Sequence, residues 1–227
     1  MPEFTIRPYR PTDRGAVMRI AADSAFFGEP VEAFLEDRRL FCDFFYAYYT
    51  DLEPEHAWVA CADQAVVGFL AGSRDTRSRP RRWVKSILPG LAGRFVRGGY
   101  RLGGHTFQYI RRLACQSIHP RRAAPDLDAY PAHLHLNLAT GWRNFGLGRR
   151  LMAAFLDQLC ELGLQGVHLS TTSLNLAACH LYETLGFHLL SAFPTVLWEG
   201  LVAGPVEERW YGLDLSRPGV KPAAVSR

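Results

Sequence analysis

Residues 133–152 constrain the fold of this chain more than any other stretch. Leu134, Leu136 and Leu138 alternate with His133, His135 and Asn137, which predicts a strand with two unlike faces. A loop over 139–146 follows. From Leu147 the apolar period changes to that of a helix, with Leu147, Leu151, Met152, Phe155, Leu159 and Leu162 on one face. Arg149, Arg150, Asp157 and Glu161 take the other face, and Gly163 stops the helix. A strand that passes through a glycine-bearing loop into a helix gathers backbone N–H groups at the positive helix end. Such a nest holds an anion, a diphosphate included, without a side-chain charge. Gly146 and Gly148 let the backbone come close to that anion. The dinucleotide fingerprint GxGxxG is excluded, because Leu151 stands at its third glycine. The ATP loop GxxxxGK is excluded as well, because Leu147 follows Gly146 where lysine is required. The pattern left is Arg143-Asn144-Phe145-Gly146-Leu147-Gly148, or (Q/R)-x-x-G-x-G.

The rest of the chain supplies further strands and helices. Residues 4–9 alternate as a first strand, and Thr12 or Asp13 can cap a helix through Val17, Ile20 and Ala21. A second helix, aromatic on several sides, is expected over 30–49. Residues 56–61 and 65–72 read as a hairpin around Ala62-Asp63-Gln64. Regularity then breaks, and 74–125 reads as an insertion with one or two helices. After the central helix come a strand at 166–171 and a helix capped by Ser173 or Asn175 that ends at Gly186. Strands at 187–195 and 208–213 close the domain, which spans 1–215, and 216–227 reads as a flexible tail. Strands alternating with helices at this density mean an α/β layered domain.

Charge is unevenly placed. Residues 74–122 hold twelve arginines and Lys85 against Asp75, a net +12, which leaves −8 for the remainder of a chain whose total is +4. The cluster reads either as a solvated face or as a surface that attracts an acidic acceptor. It carries no recognition helix or RNA motif, which argues against nucleic acid as the partner. The chain is 48% hydrophobic, yet no eighteen apolar residues run uncharged, so no membrane span is expected. Charges and prolines fill the first thirteen residues where a secretory leader needs an apolar run, which points to the cytoplasm. Cys42, Cys61, Cys115, Cys160 and Cys179 are scattered and form no CxxC pair, so neither a disulfide frame nor a metal site is expected.

The segment around Gly146 resembles the acetyl-CoA binding motif of the GNAT N-acetyltransferase family. Asn175 at a helix start, then Tyr182-Glu183-Thr184-Leu185-Gly186-Phe187, is similar to that family's second pattern, N-x-x-A-x-x-x-Y-x-x-x-G-F, with Ala178 in place. The two motifs lie within 132–190 with one strand between them. Residues 131–138 and 166–175 are further similar to the acetyltransferase-like domains joined to O-GlcNAc hydrolases.

The resemblance implies a mixed, mostly antiparallel central sheet with helices on both faces, splayed between its fourth and fifth strands into a cofactor cleft. It implies an enzyme that moves an acetyl group from acetyl-CoA to an amine acceptor in a ternary complex, without a metal. Pantetheine would pair with backbone at Leu138 and Ala139. Diphosphate would rest on N–H groups over Arg143, Asn144, Phe145, Gly146, Leu147, Gly148 and Arg149, with Asn175 and Tyr182 completing the site. Tyr182 would donate a proton to the leaving thiolate, against the plainer reading of a core aromatic. Glu29, Asp128, His133 and His135 are the candidates for accepting the amine's proton. A non-catalytic CoA-binding or interaction module of the same fold is the alternative function. The aromatic second helix offers apolar surface for a second copy of the chain.

Overall fold

The structure, a computed structural model, describes residues 2–118 and 124–216. The expected tail therefore lies, from residue 217, outside the described residues, as does 119–123 of the insertion. Seven strands form one sheet: β1 (Phe4–Pro8), β2 (Ala57–Ala62), β3 (Ala65–Ser73), β4 (Ala132–Leu138), β5 (Gly166–Thr172), β6 (His188–Thr195) and β7 (Val206–Asp214). Their order is β1-β2-β3-β4-β5-β7-β6. Every neighbouring pair is antiparallel except β4 and β5, which run parallel.

Helices cover both faces. On one face lie α7 (Leu147–Glu161) and α8 (Leu176–Thr184). Leu147, Leu151, Met152, Phe155, Leu156 and Leu159 of α7 pack there with Leu134, Val167 and Leu169, all buried. Leu162, expected on this stripe, falls just past the last turn and is 44% exposed. On the other face lie α1 (Arg14–Asp23), α2 (Arg38–Phe45) and α3 (Ala47–Leu52). Asp13 precedes α1 but does not cap it. Its carboxylate instead takes both guanidinium nitrogens of Arg7, at 2.7 and 2.8 Å, and the N–H of Arg10.

The single helix expected over 30–49 is broken. A 3-10 turn at Val31–Ala33 follows Pro30, Asp37 starts α2 afresh by accepting the Leu40 N–H, and Tyr46 separates α2 from α3. The aromatic side chains explain the breaks, because they serve different neighbours. Phe34 packs on Tyr109 and Trp198, whereas Tyr46 packs on Phe69 of β3. No straight helix points its residues at all of these. Phe34, Phe41, Tyr48 and Tyr49 are consequently buried within the chain, while Phe44 of α2 stays 39% exposed.

The insertion contains three helices, α4 (Arg79–Ser86), α5 (Leu88–Val96) and α6 (Gly104–Ile118), rather than one or two. Pro80 and Pro89 open the first two, where a missing N–H does no harm. Acids of residues 36–53 receive the insertion's cations. Arg82 pairs with buried Glu53, and Arg94 pairs with Asp43. Arg79 lies over the rings of Tyr48 and Tyr49 at 5.4 and 5.2 Å. Glu36 caps α6 by accepting N–H groups from Gly103, His105 and Thr106 and the Thr106 hydroxyl. Arg79, Arg82 and Arg94 of the +12 segment are thus docked on an acidic body, while Arg81 and Lys85 stay exposed.

Among the described residues no helix is long and apolar enough to cross a membrane.

The Glu36 cap sets a pH dependence. Burial alone would raise its pKa, but the Thr106 and His105 hydrogen bonds outweigh it and bring the carboxyl from 4.5 down to about 2. A folded pKa below the unfolded one means stability that is complete above about pH 4.5 and lost as pH falls toward 2. Glu36→Gln should lower stability at pH 7 by about 1–2 kcal/mol, the scale of a lost charged cap. In urea unfolding, the gap between wild type and variant should close between pH 4.5 and about 2.

Candidate active site

β4 and β5 pair only at Ala132 with Val167 and at His133 with His168. Beyond them β4 stays with β3 as far as Leu138, and β5 stays with β7 as far as Thr172. The sheet therefore opens into a wedge along the second half of β4. Side-chain exposure follows the opening, since His133 is buried whereas His135 and Asn137 are half-buried. In an antiparallel ladder alternate residues direct their backbone groups to the same neighbour. The Ala139 N–H bonds Val67 O at 2.9 Å, so the odd-numbered positions serve β3. Leu136 and Leu138 accordingly present N–H and C=O to the wedge. Ala139 does not, because its carbonyl also accepts the Trp142 N–H at 3.1 Å. Of the two backbone positions nominated from sequence, Leu138 faces the opening and Ala139 is engaged within the chain.

The wedge leads to the loop before α7. Asn144 and Gly146 both hold left-handed backbone, φ 68° and 74°. Gly146 is the N-cap and uses no side chain, so helix geometry leaves the N–H groups of Leu147, Gly148 and Arg149 without intrahelical partners. Alternating hands ahead of a helix start form the concave N–H cradle expected for an anion. The side chains around it do different jobs. Leu147 is buried in the core. Phe145 is 51% exposed and stacks on Phe4 and Trp142, with ring centroids at 5.6 and 5.9 Å. Arg149 donates to the Thr184 hydroxyl at 3.1 Å, tying α7 to α8. Arg143 is exposed and lays its guanidinium against Gly28, at the turn between α1 and α2. A Cβ at Gly148 would stand 3.2 Å from the Leu181 side chain, with Leu136 and Leu138 next, so the missing side chain here admits α8.

Asn175 caps α8, its side-chain oxygen accepting the Ala178 N–H at 3.4 Å. Ser173, the other nominee, instead accepts the Glu207 N–H, joining the strand end to β7. Tyr182 is buried beside Phe187 and Tyr211, with ring centroids at 5.9 and 6.0 Å. Burial, then Cys179, raises its pKa, so the phenol keeps its proton at neutral pH. Tyr46 sits across the wedge and feels Tyr182 among the groups that raise its own pKa after burial and Tyr49; its hydroxyl donates to Asn137 at 3.1 Å.

Sequence patterning missed a polar chain on the α3 side of β4. The Tyr49 hydroxyl lies 2.7 Å from His133 Nε2 and 2.9 Å from His135 Nε2. His133 Nδ1 lies 2.7 Å from the Thr76 hydroxyl. The histidines were visible as one strand face, but Tyr49 lies 84 residues from His133 and no local spacing links the two. Burial first, then the charge of Arg79 and the neighbouring imidazoles, brings His135 down to about 3 and His133 well below its usual value. Both are neutral at pH 7. The two carboxylate candidates sit elsewhere. Asp128 pairs with Arg77 on the surface before β4, at the closed end of the wedge. Glu29 is exposed in the turn after α1. Among the described residues no group of three or more His, Cys, Asp or Glu could hold a metal.

A sequence profile of the acetyltransferase (GNAT) family matches residues 120–187. SsHAT, known from its crystal structure, is 32% identical over 95% of this chain and 100% of its own, with a TM-score of 0.71. The yncA protein of Salmonella typhimurium, solved with its cofactor acetyl-CoA, is 16% identical over 95% of this chain and 96% of its own, at TM-score 0.57. An N-acetyltransferase from Staphylococcus aureus Mu50 is 15% identical over 94% and 99%, at TM-score 0.56. At the lower identities the likeness is one of fold.

The two loop glycines should respond differently to substitution. Gly146→Ala meets open space but must hold φ +74°, which costs about 1–2 kcal/mol for a residue with a Cβ. Gly148→Val must push Leu181 and α8 away, an overpacking cost of about 1–3 kcal/mol. Chemical denaturation measures both. Only the second should disturb hydrogen exchange in α8.

Proposed function

Because the chain belongs to the GNAT acetyltransferase family, we propose that it transfers the acetyl group of acetyl-CoA to an amine acceptor by direct attack in a ternary complex. One observation carries this reading. The unpaired edge of β4 at Leu136 and Leu138 is followed, after the loop over 139–145, by the N–H cradle at Gly146–Arg149. An edge that offers alternating N–H and C=O suits the amides of pantetheine, and a cradle at its end suits diphosphate.

In this assignment Leu138 pairs with the pantetheine arm, and the backbone over Asn144, Phe145, Gly146, Leu147, Gly148 and Arg149 receives the diphosphate. Arg143 is free to swing from Gly28 toward a phosphate, and Asn175 holds the start of α8 beside the wedge. The acceptor amine attacks the acetyl carbonyl, a C–N bond forms, and the C–S bond breaks. Holding both reactants in one wedge supplies most of the acceleration. Negative charge grows on sulfur as that bond breaks, and Tyr182, protonated and buried on α8, donates to it. The donation matters in the transition state and little before it.

The basic insertion bears on the acceptor. Arg79 and Arg82 are committed to α3 and Glu53, whereas Arg81 and Lys85 are exposed. An acidic acceptor is the class that these two cations attract.

Calorimetric titration with acetyl-CoA and with CoA tests the reading first, and failure to bind either at millimolar concentration removes it. Tyr182→Phe keeps the ring and deletes the donor. It should lower kcat by about 10–1000-fold, within the range of acid catalysis with water as a partial substitute. Acetyl-CoA affinity should change by less than about threefold, since the hydrogen bond is not yet made in the ground state. Normal turnover in this variant would leave Tyr182 a core aromatic. Binding of acetyl-CoA with no transfer to any amine would leave a CoA-binding module.

A further inference from the structure

An amine acceptor arrives protonated and must lose a proton before it attacks; of the carboxylate candidates, Asp128 is paired with Arg77 and Glu29 is exposed in the turn after α1. The chain through Tyr49 offers a route. It begins at His135 on the half-open stretch of β4, passes the Tyr49 hydroxyl and His133, and ends at the partly exposed Thr76. His135 Nδ1 has no hydrogen-bond partner among the described residues, while its Nε2 is held by Tyr49. We propose that Tyr49 is the hub of a proton relay that carries the acceptor's proton from His135 to solvent at Thr76, at the end of the wedge opposite the anion cradle. The proposal rests on the acetyl-transfer reading given above.

The relay balances without forming a phenolate or an imidazolium. At the start His135 Nε2–H donates to Tyr49, Tyr49 O–H donates to His133 Nε2, and His133 Nδ1–H donates to Thr76. The ammonium N–H breaks and a His135 Nδ1–H bond forms. Each donor along the line passes its hydrogen to the next acceptor, and the Thr76 hydroxyl releases one proton to water. Afterwards every hydrogen bond of the chain survives with its direction reversed. Tyr49 now donates to His135, His133 Nε2–H donates to Tyr49, and Thr76 donates to His133 Nδ1. A single hydroxyl shared by two imidazoles at 2.7 and 2.9 Å allows both arrangements.

The surroundings favour transfer in concert. Arg79 of α4 lies 5.2 Å from the Tyr49 ring and opposes any charged imidazole. His168 of β5 faces His133 with ring centroids 5.8 Å apart. Tyr48 donates to Glu53, whose charge is taken by Arg82 of α4, and Tyr46 donates to Asn137 on the wedge side. At the outer end Asp75, next to Thr76, accepts the Arg77 and Ser78 N–H groups and Asp128 pairs with Arg77, so each nearby carboxylate is bonded outside the line.

The test compares two amines of similar shape with acetyl-CoA, benzylamine, which is protonated at pH 7, and aniline, which is neutral there. Tyr49→Phe should lower kcat for benzylamine by about 10–100-fold at pH 7, the lower part of the range for proton transfer. Aniline, with no ammonium proton to lose before attack, should lose less than about threefold. The benzylamine deficit should shrink as pH rises toward ~10, where alkylammonium groups deprotonate in solution. Thr76→Val, a variant at the chain's outer end, should lower benzylamine turnover in the same direction and spare aniline. Equal losses for both amines, or a deficit that ignores pH, would overturn the relay and leave Tyr49 a structural residue. Acetyl-CoA binding by the wild type with no transfer to any amine would instead overturn the acetyl-transfer reading, and the relay with it.

Discussion

Two residue pairs, Ala132 with Val167 and His133 with His168, are all that join the two halves of the sheet. Parallel pairing there brings β4 and β5 together at one end only, and the twist of two separately anchored strand groups carries them apart beyond it. β4 is committed to β3 and β5 to β7, so neither can follow the other. The unpaired backbone of Leu136 and Leu138, the entry of α7 at the open end and the placement of Tyr182 on α8 all depend on this departure. Buried backbone polar groups normally find partners inside the chain. Here the fold leaves two residues of a central strand facing a wedge, a costly arrangement in the absence of a ligand that supplies those hydrogen bonds.

The second organising force is electrostatic. Acids at Glu36, Asp37, Asp43 and Glu53 meet the insertion with ion pairs, caps and backbone acceptors. Two of the insertion's cations, Arg82 and Arg94, are thereby paired in cis, while Arg81 and Lys85 stay exposed. The docking also has a consequence inside the domain. By laying Arg79 over Tyr48 and Tyr49, the insertion places a fixed positive charge beside the histidines of β4. That charge and burial together hold His133 and His135 neutral, so the polar chain stays a set of uncharged donors and acceptors. A segment that looks peripheral in sequence thus tunes the most buried polar cluster of the site.

The sequence by itself determined the parts that rest on local rules. The change of period from two to 3.6 at Leu147, the glycine-bearing loop ahead of it and the choice of cap between Ser173 and Asn175 are each decided within a few residues. So are the seven strands, because alternation and turn residues report on one strand at a time. Tertiary structure decided everything that required knowing a distant neighbour. The helix over 30–49 breaks because Phe34 and Tyr46 answer to different partners. Gly148 is small because α8 lies over it, and Ala139 is closed to the wedge because Val67 and Trp142 already hold its backbone. Tyr49 meets His133 only after 84 intervening residues have folded. Periodicity records which side of an element is apolar, whereas hydrogen-bond partners across the sheet depend on register and docking, which no local pattern encodes.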